Sequence, residues 1–575
     1  MKTLSKSLLN LSAVGYGKLK SHRLLGVSIA ATLTFGLFGY SQVFPDFGFL
    51  TLLYMTVQLF LLDSQVFDVS DVMAESGGVP WALELSRWMA AALTFYGLIF
   101  AASKLLRRSG DKYRIEQLDG HSVVFGADKI TADFLEEVHA LGQECVLISS
   151  SDSLLEKWRS QGNFAVDVDA GAHATLQLDD LLQAGLPRAK DFYILDTDDA
   201  VNLRALLLAA KVDGSCSIKL RQDEPFACDL LQRHSLFLDQ SQHQLRVISV
   251  EKQRARLLLQ QCPLEWDAQQ GLATEVHLVL PHFGAFEKSV AIQAALIGHY
   301  KSGKRVNLWL SSPSARAQLV ADFPEISRCL DIRLVGQDGV ESVAAIGRVC
   351  GPDAFVTVLY AHLSVEQAYL QMLRLEERWA YKCGFRIIAS GAYGDETSLV
   401  KGRPNIDCVP QPRGLVTEAA LVQIDRVAQA IHKTWYEGNQ LRIDEAQTKG
   451  ELETVEKLKS KATFKLWDDL SEEQKDTNRS AADHIEVKIR AAGLNPKQPD
   501  IKEVWSKLDA KALEMLSRME HERWAAPLWL ANWQVGERDD VRRKHNNLVP
   551  YDDLDQSTKD YDAEQVCEAA KYCAE

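Results

Sequence analysis

The sequence predicts a three-part chain: a membrane α-helical hairpin with a re-entrant helix, then two α/β domains with mostly parallel sheets, then a mainly α-helical repeat region. Three observations carry this. The apolar excess of the 575 residues is concentrated in about the first 110. Strand–turn–helix–strand patterns recur twice between about residues 115 and 402. Two landmarks, His-x-x-Trp and Asp-Asp-Leu, recur in the same order beyond residue 410. The expected divisions are an N-terminal tail 1–22, a membrane region 23–110, a first α/β domain 111–255, a linker 256–272, a second α/β domain 273–405, and a repeat region 406–575 with copies at about 410–495 and 500–575.

The membrane region is organised around Phe47–Leu62, FGFLTLLYMTVQLFLL, sixteen residues without a charge. As a helix it would be about 24 Å long, short of the roughly 30 Å hydrocarbon core. It lies between two longer apolar segments, Leu24–Val43 and Trp88–Ser103. Lys18, Lys20 and Arg23 precede the first, and Lys104, Arg107, Arg108 and Lys112 follow the second. No Lys or Arg stands between Ser41 and Pro80. The positive-inside rule puts both flanks, and so both termini, on the cytoplasmic side of the inner membrane. The middle segment then enters and leaves on one face, with lipid as a partner. A third span over Phe47–Phe67 and an inert re-entrant anchor are the competing readings.

Span, short helix, span resembles the potassium-channel superfamily. Where that family carries TVGYG, this chain reads LFLLDSQ, so its carbonyl filter does not carry over. The resemblance implies a tetrameric pore, and selectivity at its mouth would rest on Gln58, Asp63 and Ser64.

The first α/β domain opens with HSVVFGADKITADFLEEVHALGQECVLISS, a buried strand, a turn, an amphipathic helix and a second strand. Of the G-x-G-x-x-G fingerprint only Gly126 is present, and Asp128 and Thr131 take the other glycine places. Asp128 would repel a pyrophosphate. DLLQAGLPRAKDFYILDTDDAVNLRALLLAA resembles the TrkA-N or RCK (regulator of conductance of potassium) domain, with Thr197, Asp199 and Asn202 in its T-x-D-x-x-N stretch. Thr197 or Asp198 is the expected cap of the helix that follows. VHLVLPHFGAFEKSVAIQAALIGHYKSGKRVNLWLSS repeats the plan, with Gly284 alone in its loop. Two Rossmann-like units in tandem resemble the gating-ring subunits of RCK-controlled channels.

Beyond residue 410, His432/Trp435 and His521/Trp524 share one spacing, and Asp468–Leu470 and Asp552–Leu554 another. The second copy resembles the ryanodine-receptor (RyR) repeat domain, through His521 and Trp524, Trp533 and Gly536, Leu548-Val549-Pro550-Tyr551, and Lys559 and Asp562. Asn532 stands where that family has its first glycine. An aromatic–cationic pocket of His521, Arg523, Trp524, Trp533, Arg542, Arg543 and Tyr551 would suit a small nucleotide-like ligand. The competing reading makes the tryptophans and histidines core and the basic turn solvated.

The net charge of -14 excludes a basic nucleic-acid surface. All ten cysteines lie beyond residue 140 without a C-x-x-C pair, which fits reduced core thiols rather than zinc or disulfides. With no P-loop, HExxH, GxSxG or catalytic Cys–His signature, neither an enzyme nor a cofactor is expected. The expected function is a cytoplasmic-ligand-gated cation channel. The alternatives are a non-conducting membrane-anchored sensor, or a nucleotide-binding regulatory subunit of a transporter.

Overall fold

The computed structural model describes residues 25–61, 78–168, 176–233, 244–267, 271–336, 340–361, 363, 365–379, 383–392, 405–410, 415–416, 422–461 and 463–572. It divides into two compact units, Met1–Arg114 and Ile115–Glu575.

In the first unit a helical run over 25–43 is followed by helix Phe49–Gln58, which tightens into a 3₁₀ turn at Leu59–Leu61, and by helix Trp81–Ile115. Glycine lets the helices approach closely. A Cβ on Gly36 would stand 2.4 Å from the Thr56 methyl, and one on Gly39 would stand 2.6 Å from the Leu83 backbone nitrogen. Ser86 Oγ donates to the Thr32 carbonyl at 2.7 Å, and Thr94 Oγ1 to that of Phe60 at 2.9 Å. Glu84 and Arg87 pair at 2.8 Å, one turn apart.

Among the described residues no helix is long and apolar enough to cross a membrane. Phe49–Gln58 is apolar but has 10 residues, where about 20 are needed. Trp81–Ile115 has 35, but Glu84 and Arg87 stand at its start and Lys104, Arg107 and Arg108 follow, which leaves 16 uncharged residues, 88–103, between them. In the run 25–43, apolar residues alternate with the small and hydroxylated ones used for packing. This overturns the expected membrane hairpin with its re-entrant helix, the multi-pass placement, and with them the reason to expect lipid as a partner. Gln58 closes a short helix, and Asp63 and Ser64 lie outside the described residues.

The second unit contains two six-stranded parallel sheets. The first comprises β1 (Ser122–Phe125), β2 (Cys145–Ser149), β3 (Phe164–Asp167), β4 (Asp191–Ile194), β5 (Ser217–Arg221) and β6 (Gln244–Ile248), in the order β3-β2-β1-β4-β5-β6. A small antiparallel ribbon, β7 (Trp266–Asp267) and β8 (Gly271–Leu272), follows. The second sheet comprises β9 (Glu275–Leu280), β10 (Val306–Leu310), β11 (Leu330–Leu334), β12 (Ala354–Tyr360), β13 (Gly384–Ala392) and β14 (Ile406–Pro410), in the order β11-β10-β9-β12-β13-β14. Both are doubly wound Rossmann-type sheets with a crevice where the strand order reverses. Inner strands such as β2, β9 and β12 are buried along almost their whole length because helices cover both faces. Asp198 caps helix Asp199–Ala209 by accepting from the Ala200 and Val201 nitrogens, and buried Asn202 donates to the Asp196 and Arg221 carbonyls.

Helix Val250–Gln261 leaves the first sheet and packs on helix Ala285–Ile297 of the second domain. It also enters the helical region through charge. Arg256 reaches Asp483 through Nε at 2.7 Å and Nη2 at 3.0 Å, and Asp425 through Nη1 at 3.2 Å. Arg479 Nη2 holds Asp425 at 2.6 Å, and its Nη1 holds Asp476 at 2.8 Å. Lys252 closes on Asp476 at 2.6 Å. Gln260 and Gln293 donate to Asp483, both at 2.9 Å, so three segments share one carboxylate. Arg256, Arg479, Asp425 and Asp483 are all buried.

Removing one member leaves buried charge without its partner. Asp483→Ala should cost on the order of 3–5 kcal/mol and lower the midpoint of thermal unfolding, with Asp483→Asn falling between. Burial by itself would push the Asp476 carboxyl up, but the charges of Lys252 and Arg479 overcome this and bring it down to about 2. Free aspartate titrates near ~3.9, so this stabilisation is complete above about pH 4 and is lost as pH falls through about 2. Thermal midpoints measured down that range should fall less steeply in Asp476→Asn than in the unchanged protein.

Candidate functional site

The two sheet crevices are filled by the chain's own charges. After β1, Asp128 caps helix Lys129–Ala140 through the Thr131 nitrogen at 2.8 Å. Its other oxygen holds Arg221 Nη1 at 2.7 Å, and Arg221 Nε holds Asp223 at 2.6 Å. Asp223 in turn accepts from the Val250 nitrogen at 2.8 Å, at the start of the bridging helix. Asp199 accepts from the Asp223 and Glu224 nitrogens, and burial raises its carboxyl above the ordinary range. In the second domain, Glu287 Oε2 accepts from the Gly284 nitrogen at 3.1 Å, so a carboxylate occupies the helix start that a phosphate would need.

In the helical region the two copies share one construction. His432 Nε2 donates to the Lys465 carbonyl at 2.8 Å, and His521 Nε2 to that of Val549 at 2.9 Å. Each imidazole stacks on the tryptophan three residues on, with centroids 5.8 and 5.6 Å apart. Each also meets a ring on the 3₁₀ turn that follows, Trp467 at 6.1 Å and Tyr551 at 6.0 Å. Lys475 lies over Trp467 and Lys559 over Tyr551. Asn532 adopts φ 61°, the left-handed conformation for which asparagine is the usual substitute for glycine at a helix end.

The residues expected to form a ligand pocket are placed as follows. His521, Arg523 and Tyr551 are buried. Arg523 grips Glu520 at 2.5 Å, and Lys488 holds the same carboxylate at 2.6 Å. Burial opposes ionisation of Glu520, but Arg523 and Lys488 outweigh it and hold the carboxyl far below its ordinary value. Trp524 lies edge-on to His545 at 5.0 Å, and Trp533 is half-buried. Arg543 donates to the Ala531 carbonyl at 2.9 Å, and Arg542 points out with 78% of its side chain exposed. His521, Trp524 and Tyr551 pack on one another, while Arg523 is held by Glu520 and Arg542 faces outward.

A cleft of about 170 Å³ opens instead between the two copies. Trp435, Tyr561 and Tyr572 provide aromatic surface, and Lys488 and Glu520 line it as well. Arg442, Lys461, Glu564 and Glu568 line it too; Arg442 pairs with Glu564 of the other copy at 3.5 Å, and Glu568 pairs with Lys571. Trp435 Nε1 donates to the Tyr561 hydroxyl at 3.2 Å, which ties the copies together across the cleft. Lys461 Nζ lies 5.6 Å from the Trp435 ring centre and donates to Asn439 at 3.0 Å. Burial, then repulsion by Arg442, Lys457 and Arg538, lowers the Lys461 ammonium below its ordinary value. An anion placed there would relieve that repulsion. Sequence reading missed the cleft because Trp435 and Tyr561 belong to different copies. The one signal available was the run of Lys457, Lys459 and Lys461 at the end of the charged insertion Glu451–Lys461.

The two arginines at the extremes of exposure should separate structural from surface roles. Arg523→Ala leaves buried Glu520 with Lys488 as its one remaining cation among those named, and should cost about 3–5 kcal/mol in urea unfolding. Arg542→Ala should stay within about 0.5 kcal/mol of the unchanged protein.

No curated protein matches this chain. Among solved structures, GsuK bound to ADP has 15% identity and a TM-score of 0.35, over 72% of this chain and 98% of that one. The GsuK channel bound to NAD has 12% identity and a TM-score of 0.35, over 73% and 86%. The A chain of dipicolinate synthase from Bacillus subtilis has 10% identity and a TM-score of 0.22, over 53% and 93%. One family model matches, and it agrees with the motif residues His521, Trp524, Trp533 and Tyr551: residues 494–575 are matched by the RyR domain.

Proposed function

We propose that this chain is a ligand-responsive regulatory protein, a binding module rather than an enzyme, whose sensor is the cleft between the two helical copies. The cleft carries the reading, because it unites stacking surface with Lys461, whose ammonium is disfavoured by burial and by the neighbouring cations. Trp435 and Tyr561 suit a planar ring, and Lys461 and Arg442 suit an anionic group attached to it. A nucleotide has both parts.

The ion network supplies the route outward. Ala481 and Ile485, which line the cleft, flank Asp483, and Asp483 holds Arg256 of the bridging helix. A ligand that draws the copies together acts on the helix linking the two sheets. It shifts the protein between states only to the extent that it binds one of them better.

The test is calorimetric titration with ADP, ATP and NAD. At least one should bind the unchanged protein. Trp435→Ala should weaken it by about 1–3 kcal/mol of stacking, and Lys461→Ala by about tenfold, with less effect at high salt. Binding that both variants leave unchanged, or that vanishes instead in Arg221→Ala, would place the ligand elsewhere.

A further inference from the structure

The second unit holds another cavity, of about 80 Å³, that shares no lining residue with the cleft. Five helices meet around it: Pro225–Arg233 of the first α/β domain, the bridging helix Val250–Gln261, Ala285–Ile297 of the second domain, Glu472–Asp483, and the end of Ala510–Leu530. Ile292 and Leu296, one turn apart, and Leu530 give its wall apolar surface. A dry cavity of about 150 Å³ holds benzene, so this one has room for about three or four carbons.

The polar groups of the wall accept more than they donate. Ser289 Oγ gives its proton to the Ala285 carbonyl at 2.8 Å, and Gln293 gives its amide nitrogen to Asp483 at 2.9 Å. The Gln293 oxygen remains as an acceptor. Lys252 is the one cation among the lining residues, against the three carboxylates of Asp229, Glu473 and Asp476. Its Nζ closes on Asp476 at 2.6 Å and stands 4.0 Å from Asp229. Arg479 holds Asp476 too, but Asp425 and Glu472 share that arginine. Burial opposes the Lys252 ammonium, but Asp476 and Asp229 outweigh it and keep the group above its ordinary value. The wall thus keeps one buried ammonium charged, and its excess of carboxylate suits a second.

We propose that this cavity binds a small alkyl amine as its ammonium ion. The chain lies against Ile292, Leu296 and Leu530, and the head against Asp229 and Glu473. An anion would meet the carboxylates, and a neutral alcohol would gain the apolar surface without the charge. The bound amine stands beside the Lys252–Asp476 pair, which ties the bridging helix to the helical region. It is a second input to the joint between the α/β domains and the repeats.

Calorimetric titration of the full chain with n-butylamine, butan-1-ol and butyrate tests this. The three share a chain and differ in the head, and the amine is protonated at about pH 7. The amine should bind, and the alcohol and carboxylate should bind at least about tenfold more weakly. Asp229→Asn keeps the shape of the wall and should weaken the amine by about tenfold while leaving the alcohol unchanged. Leu296→Trp, at a half-buried position, fills the cavity and should abolish binding of both. Trp435→Ala should leave the amine unaffected, since that ring lies in the cleft. Absence of amine binding, equal affinity for amine and alcohol, or binding that survives Leu296→Trp would overturn the proposal. Loss of binding in Trp435→Ala would overturn it as well, by moving the ammonium to an indole face in the cleft. Where Leu296→Trp does not fold, unchanged amine affinity in Asp229→Asn overturns it alone.

Discussion

The buried carboxylate of Asp483 is the constraint on which the second unit depends. It takes hydrogen bonds from Arg256 and Gln260 of the bridging helix, and from Gln293 of the second α/β domain. It belongs itself to the helical region. A hydrophobic contact at this point would be no weaker, since a buried ion pair gains little over a well-packed apolar substitute. What charge adds is direction. A guanidinium offers its donors in a planar fork, and only one orientation of the helices satisfies Arg256 and Arg479 together. Slippage by one turn would leave charges buried and unpaired. The network thus fixes register among elements whose apolar faces could slide.

The same economy of charge explains the eroded nucleotide loops. In a dinucleotide-binding sheet the crevice is electropositive, because backbone N–H groups point into it without a protein partner. Here Asp128 satisfies the helix start after β1, and Glu287 satisfies the one after β9. Arg221 then neutralises Asp128 and ties it to Asp223 and the bridging helix. Acidic side chains here join the crevice to the bridging helix. Asp128 in a glycine place was legible as a repulsive group in the sequence. Its partner Arg221 was not, because the two are 93 residues apart.

Legibility followed the range of the interaction. Parallel sheets were readable because buried strands bounded by turn residues and helical periodicity are local signals. The paired His-x-x-Trp and Asp-Asp-Leu landmarks were readable because each is a contact within one turn or two. The left-handed role of Asn532 was readable as an anomaly and explained only by its φ of 61°. At the N-terminus a local reading misled. Charge asymmetry suggested a hairpin, but the small residues Gly36 and Gly39 serve close helix contact, and the intervening helix ends after 10 residues. Arg523 looked like a ligand cation because sequence shows charge without burial. Glu520, three residues before it, is the partner that absorbs it.

A repeated module gains a site that one copy lacks. Each copy spends its His–Trp pair internally, with imidazole bonded to its own backbone and indole stacked against it. The outer edge of Trp435 is left over, and it meets Tyr561 of the other copy. That contact is polar and partly exposed, so it is weak compared with the buried ion triad of Lys488, Glu520 and Arg523 beside it. The cleft therefore combines a rigid element with two exposed links, Trp435 to Tyr561 and Arg442 to Glu564, that a ligand can replace at little cost. Insertion of a ring between Trp435 and Tyr561 would exchange their bond for stacking on two faces. Because Ile485 and Ala481 bracket Asp483, the displacement would reach the carboxylate that sets helix register. A ligand between the copies would in this way act on the α/β domains, whereas one within a single copy, closed around its own histidine, would not.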